Sequence, residues 1–483
     1  MLHAPRSRWD LYAFCVWLAL VPLPFGSNRS WALALTLPLL LALAAVVAWR
    51  ERARFERSLP AFLARPYGLL LAAFVALLVL QIAPIGADTI SVAPQKTAAY
   101  ALVAVGCLVA FWLVTVLVRS DQDLKILLYA LVACGVLQAV LAVVLFTTKS
   151  PVLILDVAAR SDLSVTGTFL NRNLLAGYLN LALAAGIGLL MGRLAPAREA
   201  RPWRLVARDW LQLLLSDKAR LRLVLVLLVI ALILTRSRMG NAAFFIALLA
   251  SATIYAYFAG TTRRGLMILV ASFVVIDLAL IGAWVGVDRV VERVQNTPLL
   301  ADSAQMQASQ QAAAAPQRGG KRQEQSVEDR IRPAWEAIGL VRDHPWFGMG
   351  GGTFYVTFMA YKGNNLDYYN HAHNDYLQIA SDTGLVGLGL LTALALYAFV
   401  ASLRILRHRS NEYVRGAAFA AIMAIIYMAL HAIVDFNLQI PSHAITFSVL
   451  IALPFAAQAL ASKRSKAQSP AERFVEDLVG AAR

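Results

Sequence analysis

The chain has 483 residues, of which 59% are hydrophobic and only 15% charged, and its formal net charge is +16. Mean hydropathy is +0.64, and long uncharged runs recur from end to end, which excludes an ordinary soluble globular protein and predicts an integral membrane protein. The excess of positive charge reads as membrane topology; a nucleic-acid partner is not expected.

Twelve spans are expected, at 11–25, 31–49, 66–86, 98–118, 126–147, 173–191, 221–235, 241–259, 265–287, 383–403, 416–434 and 444–460. The first is followed by bulky residues and another span, so it reads as a span and not as a cleaved leader. Arg6 and Arg8 precede it, and Arg50, Arg52, Arg54 and Arg57 follow the second. If both segments are cytoplasmic, every alternate connection is basic: Arg119 to Lys125, Arg193 to Arg222, Arg263-Arg264, Arg404 to Arg415, and the tail from Lys463. The positive-inside rule then puts both termini in the cytoplasm. The 193–222 connection mixes Trp203, Leu205, Trp210 and Leu211 with arginines, as in a helix lying on an anionic lipid surface. Cys15, Cys107 and Cys134 lie inside apolar runs and read as small core residues.

The expected architecture is all-α and polytopic, with about twelve transmembrane helices and one large, partly helical periplasmic loop. Residues 1–287 form the first nine spans, 288–382 the loop, 383–462 the last three spans and 463–483 a cytoplasmic tail. Within the loop, 297–325 is poor in bulky apolar residues. Ser326 to Asp343 places Ile331, Trp335, Ile338 and Val341 at helical spacing, and His344-Pro345 stops that helix.

On the outer face positive charge has no orienting role, so arginines there call for another reason. Arg236 and Arg238 stand where the seventh span turns into the eighth. Near the interface they can serve as snorkelling anchors, or they can hold an anion. Arg330 and Arg332 open the loop helix, where cations oppose the macrodipole by a few tenths of a kcal/mol unless an anion compensates. Asn171, Arg172 and Asn173 put two amides and a guanidinium at the mouth of the sixth span, as a rim for a polyhydroxylated ligand or as a helix cap. His431 and Asp435 are one helical turn apart and read equally as a functional or a structural pair.

The densest polar stretch is Tyr369-Asn370-His371-Ala372-His373-Asn374-Asp375-Tyr376-Leu377-Gln378. A neutral imidazole can take a proton from a hydroxyl, and two imidazoles can bind a metal. No third ligand stands at metal-site spacing, so no metal is expected. Candidate residues gathered at one face also argue against a transporter, which places charges at mid-span.

Taken together, Thr166 to Asn173, Thr235-Arg236-Ser237-Arg238, Arg330 with Trp335, His344 to Gly350, His371 to Gln378, Asp382 to Gly387 and Asp435-Phe436-Asn437 resemble the O-antigen ligase and polymerase superfamily of bacterial envelope glycosyltransferases. The resemblance implies a metal-independent, inverting enzyme of the inner membrane with its site facing the periplasm. Such an enzyme takes a glycan from an undecaprenyl pyrophosphate donor and passes it to an acceptor, here the lipid A core, and needs no cofactor. The resemblance makes His373 the general base and assigns Arg238 and Arg330 to the pyrophosphate. The family's single arginine four residues before the Trp is replaced here by Arg330 at five and Arg332 at three, so both are candidates. Arg236, Arg172, Asn171, His371, Asn374 and Asp435 complete the expected substrate-binding set. An O-antigen polymerase or a protein O-oligosaccharyltransferase would use the same donor.

Overall fold

A computed structural model describes residues 8–84, 88–148, 164–192, 217–259, 328–361 and 370–467. The expected ninth span, the 297–325 segment and most of the 193–222 connection lie outside the described residues. The protein is all-helical, with fourteen α-helices among the described residues. They are α1 Trp9–Leu20, α2 Ser30–Arg50, α3 Arg52–Leu63, α4 Pro66–Ile82, α5 Pro94–Leu117, α6 Asp121–Thr148, α7 Arg172–Gly192, α8 Asp217–Leu234, α9 Arg238–Ala259, α10 Glu328–Asp343, α11 Phe354–Tyr361, α12 Asp375–His408, α13 Glu412–His431 and α14 Pro441–Ala467. Eight of these are long and apolar enough to cross a membrane, namely α2, α5, α6, α7, α9, α12, α13 and α14; α1 and α4 are shorter apolar helices. Helices therefore occur at eleven of the twelve expected positions, and α3, within a basic connection, was not expected.

The bundle is organised around α7, which is buried from Asn173 to Gly192. Its small residues allow that. A Cβ on Gly188 would meet the Gly416 carbonyl oxygen at 2.4 Å, and one on Gly416 would meet that of Gly188 at 2.6 Å, so α7 and α13 pack backbone to backbone. Close approach through small residues is the usual way helices associate in lipid, where apolar burial alone gives little preference for one face.

The two ends of the bundle differ in chemistry. At one end Arg8 pairs with Asp123 at 2.9 Å, Arg50 with Asp10 at 2.9 Å and Arg119 with Glu51, while Asn411 donates to Asp121 at 2.8 Å. Arg415 lies 5.0 Å from the Tyr255 ring centroid at this same end. The opposite end, called the outer end below, carries the turns 25–29, 167–171 and 235–237, the 344–353 segment, the His stretch and the 432–440 loop. The five non-glycine residues with positive φ among the described residues, Phe25, Ser27, Leu170, Arg236 and His373, all lie in these outer turns.

α12 starts at Asp375, ahead of the expected span, because Asn374 caps it by accepting the Leu377 N–H at 3.0 Å. It breaks at Gly384, whose φ of 69° and ψ of −179° suit only glycine. The 344–350 segment fills the break. Leu385 N–H donates to the Pro345 carbonyl at 2.7 Å, Met349 N–H to Ser381 at 3.0 Å and Gly350 N–H to Asp382 at 2.9 Å. Gln81, at the end of α4, binds the same place, donating to the carbonyls of Phe347 at 2.6 Å and Asp382 at 2.9 Å and accepting from Gly351 N–H at 3.0 Å. The Gly-rich and Asp-Thr-Gly stretches quoted for the family resemblance are thus the two halves of one backbone clasp.

The expected loop helix is α10; of its apolar residues at helical spacing Trp335 and Ile338 are exposed, and Ala337 and Leu340 are buried positions. They pack with Phe354 and Phe358 of α11 and with Ala372 of the His stretch. The helical spacing was right, but α11 covers the narrower Ala337/Leu340 face instead of the wider aromatic one.

Candidate functional site

The outer end holds the expected site residues on five pieces of chain. At the mouth of α7, Asn171 accepts the Asn173 N–H at 2.8 Å, so the amide rim is a helix cap. Asn173 in turn accepts from Ser237 Oγ at 2.9 Å, which ties the α7 start to the Arg236–Arg238 turn. Arg236 and Arg238 are exposed, and Arg172, between the two amides, is half-buried. Arg330 and Arg332 lie in the first turns of α10; their side chains are outside the described residues.

The 431–443 segment covers the first turns of α7. A Cβ on Gly177 would reach Asn437 Oδ1 at 2.3 Å, and His443 Nε2 donates to the Leu174 carbonyl at 2.7 Å. His431 and Asp435, both fully buried, form the expected turn-spaced pair at 3.7 Å. Asn437 Nδ2 donates to His431 Nδ1 at 2.8 Å, and the Tyr427 hydroxyl contacts the same nitrogen at 2.7 Å. Asp435 also accepts the Phe436 N–H at 3.0 Å, so this buried network fixes where the Phe436 ring goes.

That ring is the floor of the His stretch. His371 stacks on Phe436 with centroids 4.0 Å apart and planes at 14°, and His373 meets it edge-on at 5.1 Å and 73°. His373 reaches this position with φ of +49°, a left-handed conformation uncommon for a residue with a Cβ. Asn374 anchors the turn from below by donating to the Ile433 carbonyl at 3.0 Å. Asp375 N–H donates to Ala432 at 2.9 Å, and its carboxylate accepts from Leu438 N–H at 2.9 Å and Gln439 Nε2 at 3.2 Å.

The protonation of His371 follows from its partners. Gln378 Oε1 accepts the Ala372 N–H at 3.1 Å, which turns the amide nitrogen of Gln378 toward His371 Nδ1 at 3.1 Å. That nitrogen can only donate, so Nδ1 accepts and a neutral His371 carries its proton on Nε2. Burial pushes its pKa down from 6.5 to about 4, so His371 is neutral near pH 7. Among the described residues no three His, Cys, Asp or Glu side chains form a group able to hold a metal ion.

Below the His stretch, between α4, α5, α12, α13 and α14, runs an apolar cavity of about 280 Å³. Tyr100, Asp375 and Gln439 supply a polar wall, while Phe74, Leu391 and Ile451 represent its apolar lining.

Sequence reading did not single out Phe436 as an aromatic floor, nor Gln378, Gln81, Tyr427 or His443. A signal for the polar four was present in their position: each is a hydrogen-bonding side chain at the end of an apolar helix, where burial demands a partner.

None of the curated proteins compared with the chain matches it. A family model described as O-Antigen ligase matches residues 223–392, a segment that contains Arg236, Arg238, Arg330, Arg332, His371, His373 and Asn374 and leaves Asn171, Arg172 and Asp435 outside. With the arginine turn and the His stretch at one end of a polytopic bundle, the match gives the chain a segment, residues 223–392, that is similar to the O-antigen ligase family.

Proposed function

We propose that the protein is an O-antigen ligase, moving O-antigen glycan from undecaprenyl pyrophosphate to the lipid A core on the periplasmic face of the inner membrane. The observation that carries this reading is the shared location of the Arg236–Arg238 turn and the His371–Asn374 turn at the outer end, inside the segment that matches the family. In this reading His373 accepts the proton of the acceptor hydroxyl as that oxygen attacks the anomeric carbon. Bond formation on the face opposite the pyrophosphate inverts the anomeric centre. Arg238, together with Arg330 or Arg332, stabilises the negative charge that grows on the departing pyrophosphate. Arg236, Arg172, Asn171, His371 and Asp435 line or support the substrate-facing end, and the apolar cavity below offers room for part of a lipid chain. The basic short connections of the opposite end, Arg119 to Lys125 and Arg404 to Arg415 among them, support placing the outer end in the periplasm.

The test is transfer by purified full-length protein in detergent, with undecaprenyl-pyrophosphate glycan and lipid A core as substrates and a chelator present. Arg238→Ala is expected to lower kcat/KM for the donor by about ten- to a hundredfold, since a charge-assisted hydrogen bond contributes about 1.5–3 kcal/mol. Arg238→Lys is expected to recover part of that loss, because a point charge replaces the planar fork. Elongation of the lipid-linked glycan by wild type would instead make the protein a polymerase, and transfer to a peptide Ser or Thr would make it a protein O-oligosaccharyltransferase.

A further inference from the structure

Pro345, Trp346 and Phe347 form the edge of the backbone clasp at the break of α12. All three of their carbonyls are held by membrane helices: Pro345 by Leu385 N–H, Trp346 by Val386 N–H at 3.3 Å and Phe347 by Gln81 Nε2. Their backbone height is therefore fixed relative to the ends of α4 and of the long part of α12. Their side chains, however, are not covered. Trp346 is 65% exposed and Phe347 44%.

The surface they join is apolar and belongs to those same helices. Leu385 and Val386 are exposed where α12 begins its crossing, Val79 and Leu80 are exposed at the end of α4, and Val92 is exposed where its N–H bonds the Met349 carbonyl. The run from Pro345 to Gly352 contains no ionisable residue, while Arg342, Asp343 and His344, immediately before it, are exposed and polar. The change from charged to aromatic thus occurs at the level where the lipid-facing belt of α4 and α12 ends. Trp and other amphipathic aromatics concentrate at that level in membrane proteins, because an apolar ring with a polar edge suits the headgroup boundary.

We propose that Trp346 and Phe347 insert into the headgroup–acyl boundary of the bilayer leaflet at the outer end, as an interfacial anchor for the loop. The occupant of this surface is lipid and not a second protein, because Leu385 and Val386, which hold the Pro345 and Trp346 carbonyls, are themselves exposed apolar residues of a helix long and apolar enough to cross a membrane. The anchor acts on the site through packing: the clasp leads directly into α11, α11 packs on α10, and Ala372 is buried between them, one residue from each imidazole. This inference is independent of the chemistry proposed above.

The test uses full-length protein in phosphatidylethanolamine and phosphatidylglycerol vesicles, with Cys15, Cys107 and Cys134 replaced by alanine. Nitroxide is attached at Trp346→Cys, Phe347→Cys and Arg342→Cys in separate samples, and its relaxation by dissolved oxygen is compared with that by a water-soluble nickel chelate. Labels at 346 and 347 are expected to respond mainly to oxygen and the label at 342 mainly to the chelate. A chelate response at either 346 or 347 equal to that at 342 overturns the anchor. A second reading avoids labelling. The Trp346 contribution to fluorescence, wild type minus Trp346→Phe, is expected to be quenched by lipids brominated near the carbonyls, and a contribution untouched by brominated lipid also overturns it.

Discussion

Phe436 and His371 lie face to face, centroids 4.0 Å apart, and the same ring carries His373 on its edge. One aromatic side chain from the 432–440 loop thus sets the orientation of both imidazoles on a different loop, and the buried His431–Asp435–Asn437 network sets the position of that ring. Removing the ring while keeping apolar volume isolates this role. Phe436→Leu is expected to lower kcat about tenfold, since two ring contacts of about 0.5–1.5 kcal/mol each are lost. Phe436→Tyr keeps the ring and is expected to retain most of the rate, as read in the glycan-transfer assay.

The backbone at His373 separates chemistry from folding. With φ at +49°, alanine there is strained, whereas asparagine tolerates the left-handed region better. His373→Asn is expected to keep the unfolding temperature near that of wild type while transfer falls about 10²–10⁴-fold, the usual contribution of a general base. His373→Ala is expected to lose the same activity and also to unfold a few degrees lower. Thermal unfolding in detergent and single-turnover transfer measure the two effects.

His371 gives stability a pH dependence. Its pKa is lowered by burial to about 4 in the folded protein, against 6.5 when exposed, so the unfolded chain binds the proton more readily. The stabilisation from a neutral, buried His371 is therefore complete above about pH 6.5 and is lost as pH falls toward 4. His371→Phe removes the titration and keeps a ring against Phe436, so its unfolding temperature is expected to fall less than that of wild type between pH 7 and pH 4.5.

The clasp at Gly384 tolerates no side chain. A Cβ there would lie 2.0 Å from the Trp346 carbonyl oxygen, in a backbone conformation reserved for glycine. Gly384→Ala is expected to cost on the order of 3 kcal/mol or more and to reduce the yield of folded protein sharply. Gly389, five residues later in the same helix, has nothing within 4 Å of its would-be Cβ. Gly389→Ala is expected to be neutral or to stabilise by up to about 1 kcal/mol, the helix propensity difference. Unfolding temperatures of the pair compare the two sites within one helix.

Much of the site was legible as residue types but not as roles. Arg236, Arg238, His371, His373 and Asp435 stood out because ionisable groups are rare in this chain, and the structure gathers the described ones at one end. Asn171, readable as a ligand rim or a helix cap, and Asn374, a substrate-binding candidate, both cap helices with their side-chain oxygens. That outcome is local, yet the sequence could not decide it, since an amide next to a helix start serves either use. The spacing of Trp335 shows the helix but not which face is covered, since α11 packs on the neighbouring Ala337 and Leu340.

Two properties could be read without any tertiary information: the all-α, multi-span architecture and the gathering of the candidate site residues on one face. Insertion free energy is summed over about twenty contiguous residues, and the charge of each connection is local to it, so neither needs knowledge of distant chain. Only the tertiary structure decided that the Gly-rich loop closes a break in α12, that Gln81 joins that closure to Asp382 across 301 positions, and that Phe436 is the floor beneath two histidines. Those partners are chosen by burial, which obliges each enclosed polar group to find a mate wherever the fold brings one near.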